Sequence, residues 1–466
     1  MNYLNFLLID IKRLKISLCI FLLFCVTAFA GLLFSCDKRG DDTGEKHNPD
    51  MPIELISFRP DSGRIREMVL LDGKNFGSDV SNIKVYFNQK EAKVLGSTGD
   101  RILALVPRLP GDTCVLAVAI GEQKKSYDKF FRYKVEASVT TLAGNGTSAL
   151  VTTSLDQSQI NPVYMCVDQN FNIFVTVPEN DALVKISELD NTIQVMATNA
   201  QGINHRCAPS IHPETNVLMM GAQGSNTRDR FVFCDPEAGW IPKLYFVKNW
   251  DLNGFSDIPT NSDDETHFQC WYCQDDGYLY TRYTSGHIVK IHPKTWDATV
   301  VGMTPRGYTY GLALHPVNKS EMWMAYCSAG SPPGDVRHSL CMIDLRNPPQ
   351  TTSPTDPDFH KLSGPTAGGF RDGPIETAQF NEPRMINFDA EGNLFMGDSN
   401  NHCIRLINTQ SMMVETLIGI PQNKGMVDGA RENAKFSEPH GIVVDAEGII
   451  YVADYGNKRI RRIAIE

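Results

Sequence analysis

Gly369-Phe370-Arg371-Asp372-Gly373, Ala378-Gln379-Phe380-Asn381-Glu382-Pro383 and Asp389-Ala390-Glu391-Gly392-Asn393-Leu394-Phe395 come back later in the chain. They return as Gly425-Met426-Val427-Asp428-Gly429, Ala434-Lys435-Phe436-Ser437-Glu438-Pro439 and Asp445-Ala446-Glu447-Gly448-Ile449-Ile450-Tyr451. No gap is needed, because every pair lies 56 positions apart, as 369 does from 425. Asp398 and Asn401 keep the same step to Asp454 and Asn457. A fixed period of this size marks a repeat architecture. One supersecondary unit cannot bury both its faces alone, so it stacks on copies of itself.

A third copy lies far upstream. Pro162, Asp168, Ile173-Phe174-Val175, Asn180 and Lys185-Ile186 align without a gap with Pro439, Asp445, Ile450-Tyr451-Val452, Asn457 and Arg462-Ile463, 277 positions on. Between the copies the pattern is worn. His-Pro turns replace Asp turns at His212-Pro213 before Val217-Leu218-Met219 and at His315-Pro316 before Met322-Trp323-Met324. Asp275-Asp276-Gly277 precedes Tyr278-Leu279-Tyr280. Unit cores then fall near 160–187, 203–236, 268–293, 309–344, 381–408 and 437–463. Residues 139–466 divide into six units of about 55, slightly above the usual propeller periods. Short strands separated by turns, in a ring that leaves few exposed edges, predict a β-propeller. The last unit ends one strand short and the first has a spare outer strand, Val139 to Gly144, so the two are expected to pair.

These residues resemble the NHL repeat, whose unit runs V-x-T-L-x-G, D-G, F-x-x-P, D-x-x-G-x-(I/L)-(Y/F)-V-A-D and N-x-x-I-(R/K)-x-I. Val139-Thr140-Thr141-Leu142-Ala143-Gly144 and Val414-Glu415-Thr416-Leu417-Ile418-Gly419 both fit the first element. The resemblance implies a six-bladed propeller over 139–466. It also implies a ligand face built from the loops leading into each inner strand and the turns between the second and third strands.

Upstream, residues 52–135 read as a separate all-β unit. Ile53-Glu54-Leu55-Ile56-Ser57-Phe58, Ile83-Lys84-Val85-Tyr86-Phe87, Ile102-Leu103-Ala104-Leu105-Val106 and Val115-Leu116-Ala117-Val118-Ala119-Ile120 alternate, with turns at Pro60-Asp61-Ser62-Gly63, Asp72-Gly73-Lys74-Asn75, Ser97-Thr98-Gly99-Asp100 and Pro110-Gly111-Asp112. Regular short strands between such turns predict a sandwich. Phe58-Arg59-Pro60-Asp61-Ser62-Gly63, Leu71-Asp72-Gly73-Lys74-Asn75-Phe76-Gly77, Val85-Tyr86-Phe87-Asn88 and Phe130-Phe131-Arg132-Tyr133 resemble the IPT/TIG domain of immunoglobulin-like folds. The resemblance implies a spacer or interaction module. No catalytic constellation stands out here, and Asp72 and Asn75 read as turn formers.

The N-terminus reads as an address. Lys12, Arg13 and Lys15 precede an uncharged run, Ile16 to Ser35, ending at Cys36. A basic segment followed by an apolar one is a secretory signal, and at about 20 residues it could also span a bilayer. Leu33-Phe34-Ser35-Cys36 resembles a bacterial lipobox, which makes 1–35 a leader and Cys36 the lipidated residue; Phe34 departs from the usual residue at its position. A cut after Ala28-Phe29-Ala30, giving an ordinary secreted protein, and an uncleaved anchor are the rival readings. Residues 36–51 are too polar to build a core and read as a tether. Asp37-Lys38-Arg39-Gly40-Asp41-Asp42 resembles, loosely, the surface-export signal of Bacteroidetes lipoproteins, which implies an outer-membrane protein held by acyl chains.

Function is expected on the propeller's loop face, since long loops on a rigid scaffold usually carry it. Asn249 to Asp257 leads the third blade, Met303 to Tyr310 the fourth, and the matching turns include Gly224 to Arg230 and Tyr283-Thr284-Ser285-Gly286. One residue per blade should stand at the channel mouth: Val163, Cys207, Cys270, Tyr310, Arg384 and His440. Trp250, Tyr283, Arg306, Tyr308, Tyr310, Arg384 and His440 form the candidate ligand set. Aromatic faces suit the C–H faces of sugars, while Arg and His bind hydroxyls or carboxylates. The competing reading is that Tyr310 and His440 plug the channel.

Other chemistries find less support. His212, His292 and His315 precede Pro at equivalent inner turns and read as turn residues. Only His440, His402 and His205 remain as metal candidates, and no metal or cofactor is expected. Cys270-Trp271-Tyr272-Cys273 would point its cysteines to opposite faces of a strand. There is no phosphate-binding glycine loop before a helix and no serine elbow.

The chain has 466 residues, 42% apolar and 21% charged, with net charge −10, which excludes general disorder and argues against a nucleic-acid partner. Of 12 cysteines, Cys19 and Cys25 leave with the leader and Cys36 takes the lipid, so nine remain, an odd set that does not describe a disulfide framework. The expected function is non-catalytic capture of a polysaccharide or oligosaccharide at the cell surface, with the sandwich as spacer. A metal-assisted lyase or hydrolase in the channel and a scaffold docking an outer-membrane transporter complex are the alternatives.

Overall fold

The computed structural model describes residues 46–108, 113–134, 136–205, 207–222, 230–256, 269–328 and 332–465. The leader, Cys36 and residues 224–229 of the turn Gly224 to Arg230 lie outside them.

The first unit is two facing sheets. One runs Glu54–Arg59, Met68–Gly77, Gly99–Leu105, Val94–Ser97; the other runs Ser62–Gly63, Gln123–Tyr133, Thr113–Ile120, Ile83–Phe87, Lys90–Ala92. Period-two alternation sends Val69, Leu71, Val85, Phe87, Leu116, Val118 and Phe131 inward, where none keeps exposed surface. Phe58 of one sheet meets Tyr127 of the other edge to face, with ring centroids 5.2 Å apart. Each such burial contributes roughly 1.5–3 kcal/mol.

Asp72 to Asn75 differs from the expected turn. It stays within strand Met68–Gly77, which slips register between Asp72 and Gly77. Asn75 takes a left-handed backbone, φ 62°, which Asn tolerates, and the strand bulges there. Its amide donates to the carbonyls of Asn48 (2.9 Å) and Met51 (2.7 Å) and accepts from Asn48 N–H (2.8 Å). Gln123 donates to the carbonyls of Pro49 and Met51. The last residues of the expected tether are therefore fastened to the sandwich.

From Ala137 on, the described residues form six sheets. Their inner strands are Met165–Val167, Ser210–Ile211, Cys270–Cys273, Thr309–Leu314, Pro383–Phe388 and Pro439–Val444. Each packs against the next, and Pro439–Val444 packs against Met165–Val167. The first strand of the array, Ala137–Ala143, pairs antiparallel with Arg459–Ile465, Val139 opposite Ile463. Three sheets carry a short fifth strand on the outer edge: Asn249–Asp251, Gly373–Pro374 and Gly429–Ala430. Asn249–Asp251 pairs parallel with Asp297–Met303, in a stretch expected to be loop.

The repeated residues of the last two blades form one buried network. Arg405 and Asp398 pair at 2.7 Å, as do Arg461 and Asp454, and all four side chains are wholly buried. Arg405 also reaches Asp372 (2.6 Å) and the carbonyls of Gln379 and Arg371. Arg461 repeats this with Asp428 (2.6 Å), Lys435 and Val427. Asp398 and Asp454 accept from the backbone N–H of Asn381 and Ser437, both at 2.8 Å, and from the amides of Asn401 and Asn457. The guanidinium groups lie over Phe380 and Phe436. Burial pushes the Asp454 carboxyl up to about 6, against the pull of Asn457 and Arg461. In the first blade the aligned positions are Val177 and Val184, both fully buried. There apolar packing replaces the ion pair, an exchange that is often neutral in energy.

Removing one partner is a different matter, because it leaves a buried charge uncompensated. Asp398→Ala and Asp454→Ala should each cost about 3–5 kcal/mol, read as a lower midpoint in urea unfolding.

Candidate functional site

The loop leading into the fourth blade is held from below by Arg282, 3% exposed at the end of strand Tyr278–Arg282. Its Nε donates to Thr304 Oγ1 (2.9 Å) and its Nη1 to the Gly307 carbonyl (2.9 Å) and Thr309 Oγ1 (3.2 Å). Its Nη2 donates to the Pro305 carbonyl and the Tyr326 hydroxyl. All these partners are neutral, so the guanidinium serves as a five-donor clamp. The clamped loop leaves Arg306 exposed and turns Tyr308 and Tyr310 inward, each 7% exposed.

An aromatic and cationic cluster results. Tyr310 stacks with Tyr164, three blades away, with centroids 6.4 Å apart and planes at 21°. Tyr308 meets Tyr310 edge-on at 6.0 Å. The Arg384 guanidinium lies 3.9 Å from the centre of the Tyr310 ring, a cation–π contact. Its nearest carboxylate is Glu382, at 4.0 Å. That carboxylate accepts the Ser328 N–H (2.9 Å), and the Glu382 N–H donates to His338 Nδ1 (3.0 Å). Burial raises the Tyr164 phenol well above its usual range, so it stays neutral. Burial opposes the charge of Arg384, yet Tyr164 and Tyr310 beside it hold its pKa above the ordinary arginine value.

The other expected residues land elsewhere. His440 stacks flat on Tyr455, centroids 4.2 Å apart and planes at 6°. Trp250 sits on the outermost strand of the third blade, edge-on to Tyr283 at 6.4 Å. Four strand spacings of about 4.8 Å put it roughly 19 Å outward from the inner strand. Tyr283 has no exposed surface, and Val163, Cys207 and Cys270 are buried. Sequence reasoning missed Tyr164, Arg282, Glu382 and His338. For Tyr164 a signal was present: the aligned positions are Gly311, Met385 and Gly441, so a large ring stands where two repeats have none.

The histidines are engaged locally. Nδ1 of His212, His292 and His315 each accepts two backbone N–H groups just beyond the turn, as Asp168, Asp389 and Asp445 do in the intact repeats. His402 accepts from Glu438 N–H at 3.2 Å, and His205 pairs with Asp181. Among the described residues no group of three or more His, Cys, Asp or Glu is placed to hold a metal. Cys270 and Cys273 face different apolar clusters, and the nine described cysteines are buried and form no disulfide.

The sandwich meets the opposite face. Lys90 pairs with Glu391, and Arg108 donates to the Gly448 carbonyl at 2.5 Å; both partners lie in inner hairpin turns. A cavity of about 480 Å³ opens on that side of the channel, lined by Met165, Ser210, Trp271, Asn387, Val443 and their neighbours.

Comparison with known proteins places these features. Residues 54–133 match the IPT/TIG domain and residues 436–463 the NHL repeat. The chain thus carries an IPT/TIG sandwich followed by an NHL-type propeller. NHL repeat-containing protein 2 of Bos taurus is 29% identical over 102 residues, 22% of this chain and 14% of its own length, so the chain spans only a small part of that relative. A structural genomics protein from Bacteroides thetaiotaomicron VPI-5482 superposes with TM-score 0.64 at 20% identity, covering 91% of this chain and 100% of the other. An auxiliary nutrient binding protein from the same organism gives 0.55 at 20% identity, covering 90% and 99%. At this identity the likeness is one of fold.

Arg282→Ala should unpair the Pro305 and Gly307 carbonyls. Amide hydrogen exchange across 303–310 is expected to speed at least tenfold while the Asp398 and Asp454 blades keep their protection. A second expectation concerns pH. Burial lowers the pKa of His212, His315, His338 and His402 below the ordinary 6.5. Their contribution is then full above that value and is lost as pH falls through it toward the folded-state values. Melting temperature should drop between pH 7 and pH 5, and His315→Asn, which keeps the turn acceptor, should make the drop smaller.

Proposed function

We propose that this chain is a non-catalytic carbohydrate-capture protein, lipidated at Cys36 and held at the outer-membrane surface, that binds its ligand on the loop face of the propeller. The observation that carries this reading is the Tyr164–Tyr310–Arg384 cluster at the channel, with Tyr308 at its edge. The narrow exposed rim of Tyr308 and Tyr310 beside a cation offers an apolar edge for a sugar ring and directional donors for its oxygens. The docking of the sandwich on the other face supports it, since a spacer there leaves the loops outward. The name of the superposing auxiliary nutrient binding protein from Bacteroides points the same way. Tyr308, Tyr310, Arg384 and Arg306 form the inner contact set, with His440 on the neighbouring blade. Trp250, roughly 19 Å outward by strand spacing, serves an extended chain rather than a single sugar. Tyr283, wholly buried, supports Trp250 from behind.

Calorimetry or affinity electrophoresis against a polysaccharide panel tests the reading. At least one glycan should bind, and Trp250→Ala with Tyr310→Ala should weaken it at least tenfold. Absence of any binding, or affinity unchanged in the double variant, defeats the proposal. Cys36→Ala should move the full-length protein from the membrane fraction to the soluble one; retention in the membrane fraction would point to the uncleaved anchor.

A further inference from the structure

Three buried arginines of the propeller, Arg282, Arg405 and Arg461, are committed to the protein. Arg405 and Arg461 each give both terminal nitrogens to a carboxylate and to backbone carbonyls. Arg282 spends its donors on carbonyls and hydroxyls of one loop. Arg384 is different. Its side chain keeps only 19% of its surface, yet its nearest carboxylate oxygen stands 4.0 Å away, beyond hydrogen-bond reach. That carboxylate is already occupied by the Ser328 N–H. The Arg384 Nε finds no hydrogen-bond partner among the described residues; the Arg405 Nε shares this, but there both terminal nitrogens are bonded to carboxylates and carbonyls. Tyr310 covers one face of the guanidinium and also hydrogen-bonds it, so the donors left over point along the remaining edge.

A guanidinium withdrawn from water and incompletely bonded is matched best by a planar oxyanion. A carboxylate accepts two parallel N–H bonds from it, and such a pair gains strength where water is scarce. The tyrosines around it set the rest of the specificity. Tyr308 and Tyr310, each 7% exposed, offer an apolar rim beside it, and a charged group without an apolar body gains nothing from them. The chain's net charge of −10 gives no general attraction for polyanions, so recognition has to be made at this one point.

We infer that Arg384 reads a carboxylate on a sugar, so that the ligand is an acidic glycan containing uronic acid units rather than a neutral one. This inference rests on the carbohydrate reading above and sharpens it. The carboxylate is held by the free edge of Arg384, and the C–H face of the same sugar lies toward Tyr310 and Tyr308. Glu382 is placed to keep Arg384 oriented without neutralising it at contact distance.

The test compares uronate polysaccharides (polygalacturonate, alginate, hyaluronan) with their carboxyl-reduced forms and with neutral glycans, by calorimetry on the wild-type protein. At least one acid glycan should bind and lose tenfold or more on carboxyl reduction. Arg384→Gln should abolish that difference, leaving intact and reduced forms equal. Equal binding of intact and reduced forms by the wild type, or binding of neutral glycans alone, overturns the inference and leaves the carbohydrate reading standing. Binding of none overturns both. Because the comparison of intact with reduced glycans uses unaltered protein, it decides the matter even if Arg384→Gln fails to fold.

Discussion

The buried tie between a guanidinium and two carboxylates in each of the last two blades is the constraint around which that half of the ring is built. Arg461 draws together the turn after the second strand, through Asp454, and the segment before the inner strand, through Asp428 and the Val427 and Lys435 carbonyls. A turn seven residues before Arg461 and a segment 26 to 34 residues before it are thereby fixed to one head group. Neither partner can ionise alone in that setting without a large desolvation cost, so the pair forms or fails as a unit. The blade's outer wrapping depends on it, because Thr141 of the first strand also binds Asp428, at 2.9 Å.

This explains why the repeats are so unequal. A polar network tolerates few substitutions, since each buried donor must keep its partner, and the two blades that use it preserve their residues almost position for position. The first blade replaced the network with Val177 and Val184, bound only by volume and shape, which many sequences satisfy; the fourth has Cys341 and Tyr326, whose hydroxyl bonds Arg282 and the Pro305 carbonyl instead. The freedom falls where the candidate site lies. Arg282, Tyr308 and Tyr310 come from worn blades, Tyr164 from the first blade, which lacks the network, and Arg384 and His440 from the regular ones. Architecture and recognition are thus carried by different parts of one ring.

The architecture was readable because its signals are periodic. Repeats at a fixed step, alternating strands and the spare strand at the front each follow from residue order alone. The site was readable only in part. Tyr310, Arg384 and His440 could be named because alignment put them at the channel mouth, and Tyr308 because it lies in the long loop before the fourth blade. Tyr283 could not, since the same loop position can turn either way, and its ring turned into the core. Trp250 was read as loop because a three-residue parallel edge strand has no pattern of its own. Arg282 escaped notice because its partners are backbone carbonyls, which leave no trace in a sequence. Asn75 looked like any turn residue, although its work is to fasten residues 48–51.

The pairing of Ala137–Ala143 with Arg459–Ile465 has a consequence for how the ring comes into being. The first strand of the array to be synthesised has its partner at the far end, so its edge stays open while every blade between them is made. Long-range pairing of this kind is slow and comes late, after local hairpins have formed. The intermediate is an open arc with an unpaired strand at one end, the form most exposed to pairing with other chains. Closing the ring therefore also acts as a completeness check: a chain that loses its final strand keeps five well-formed blades and a sticky edge.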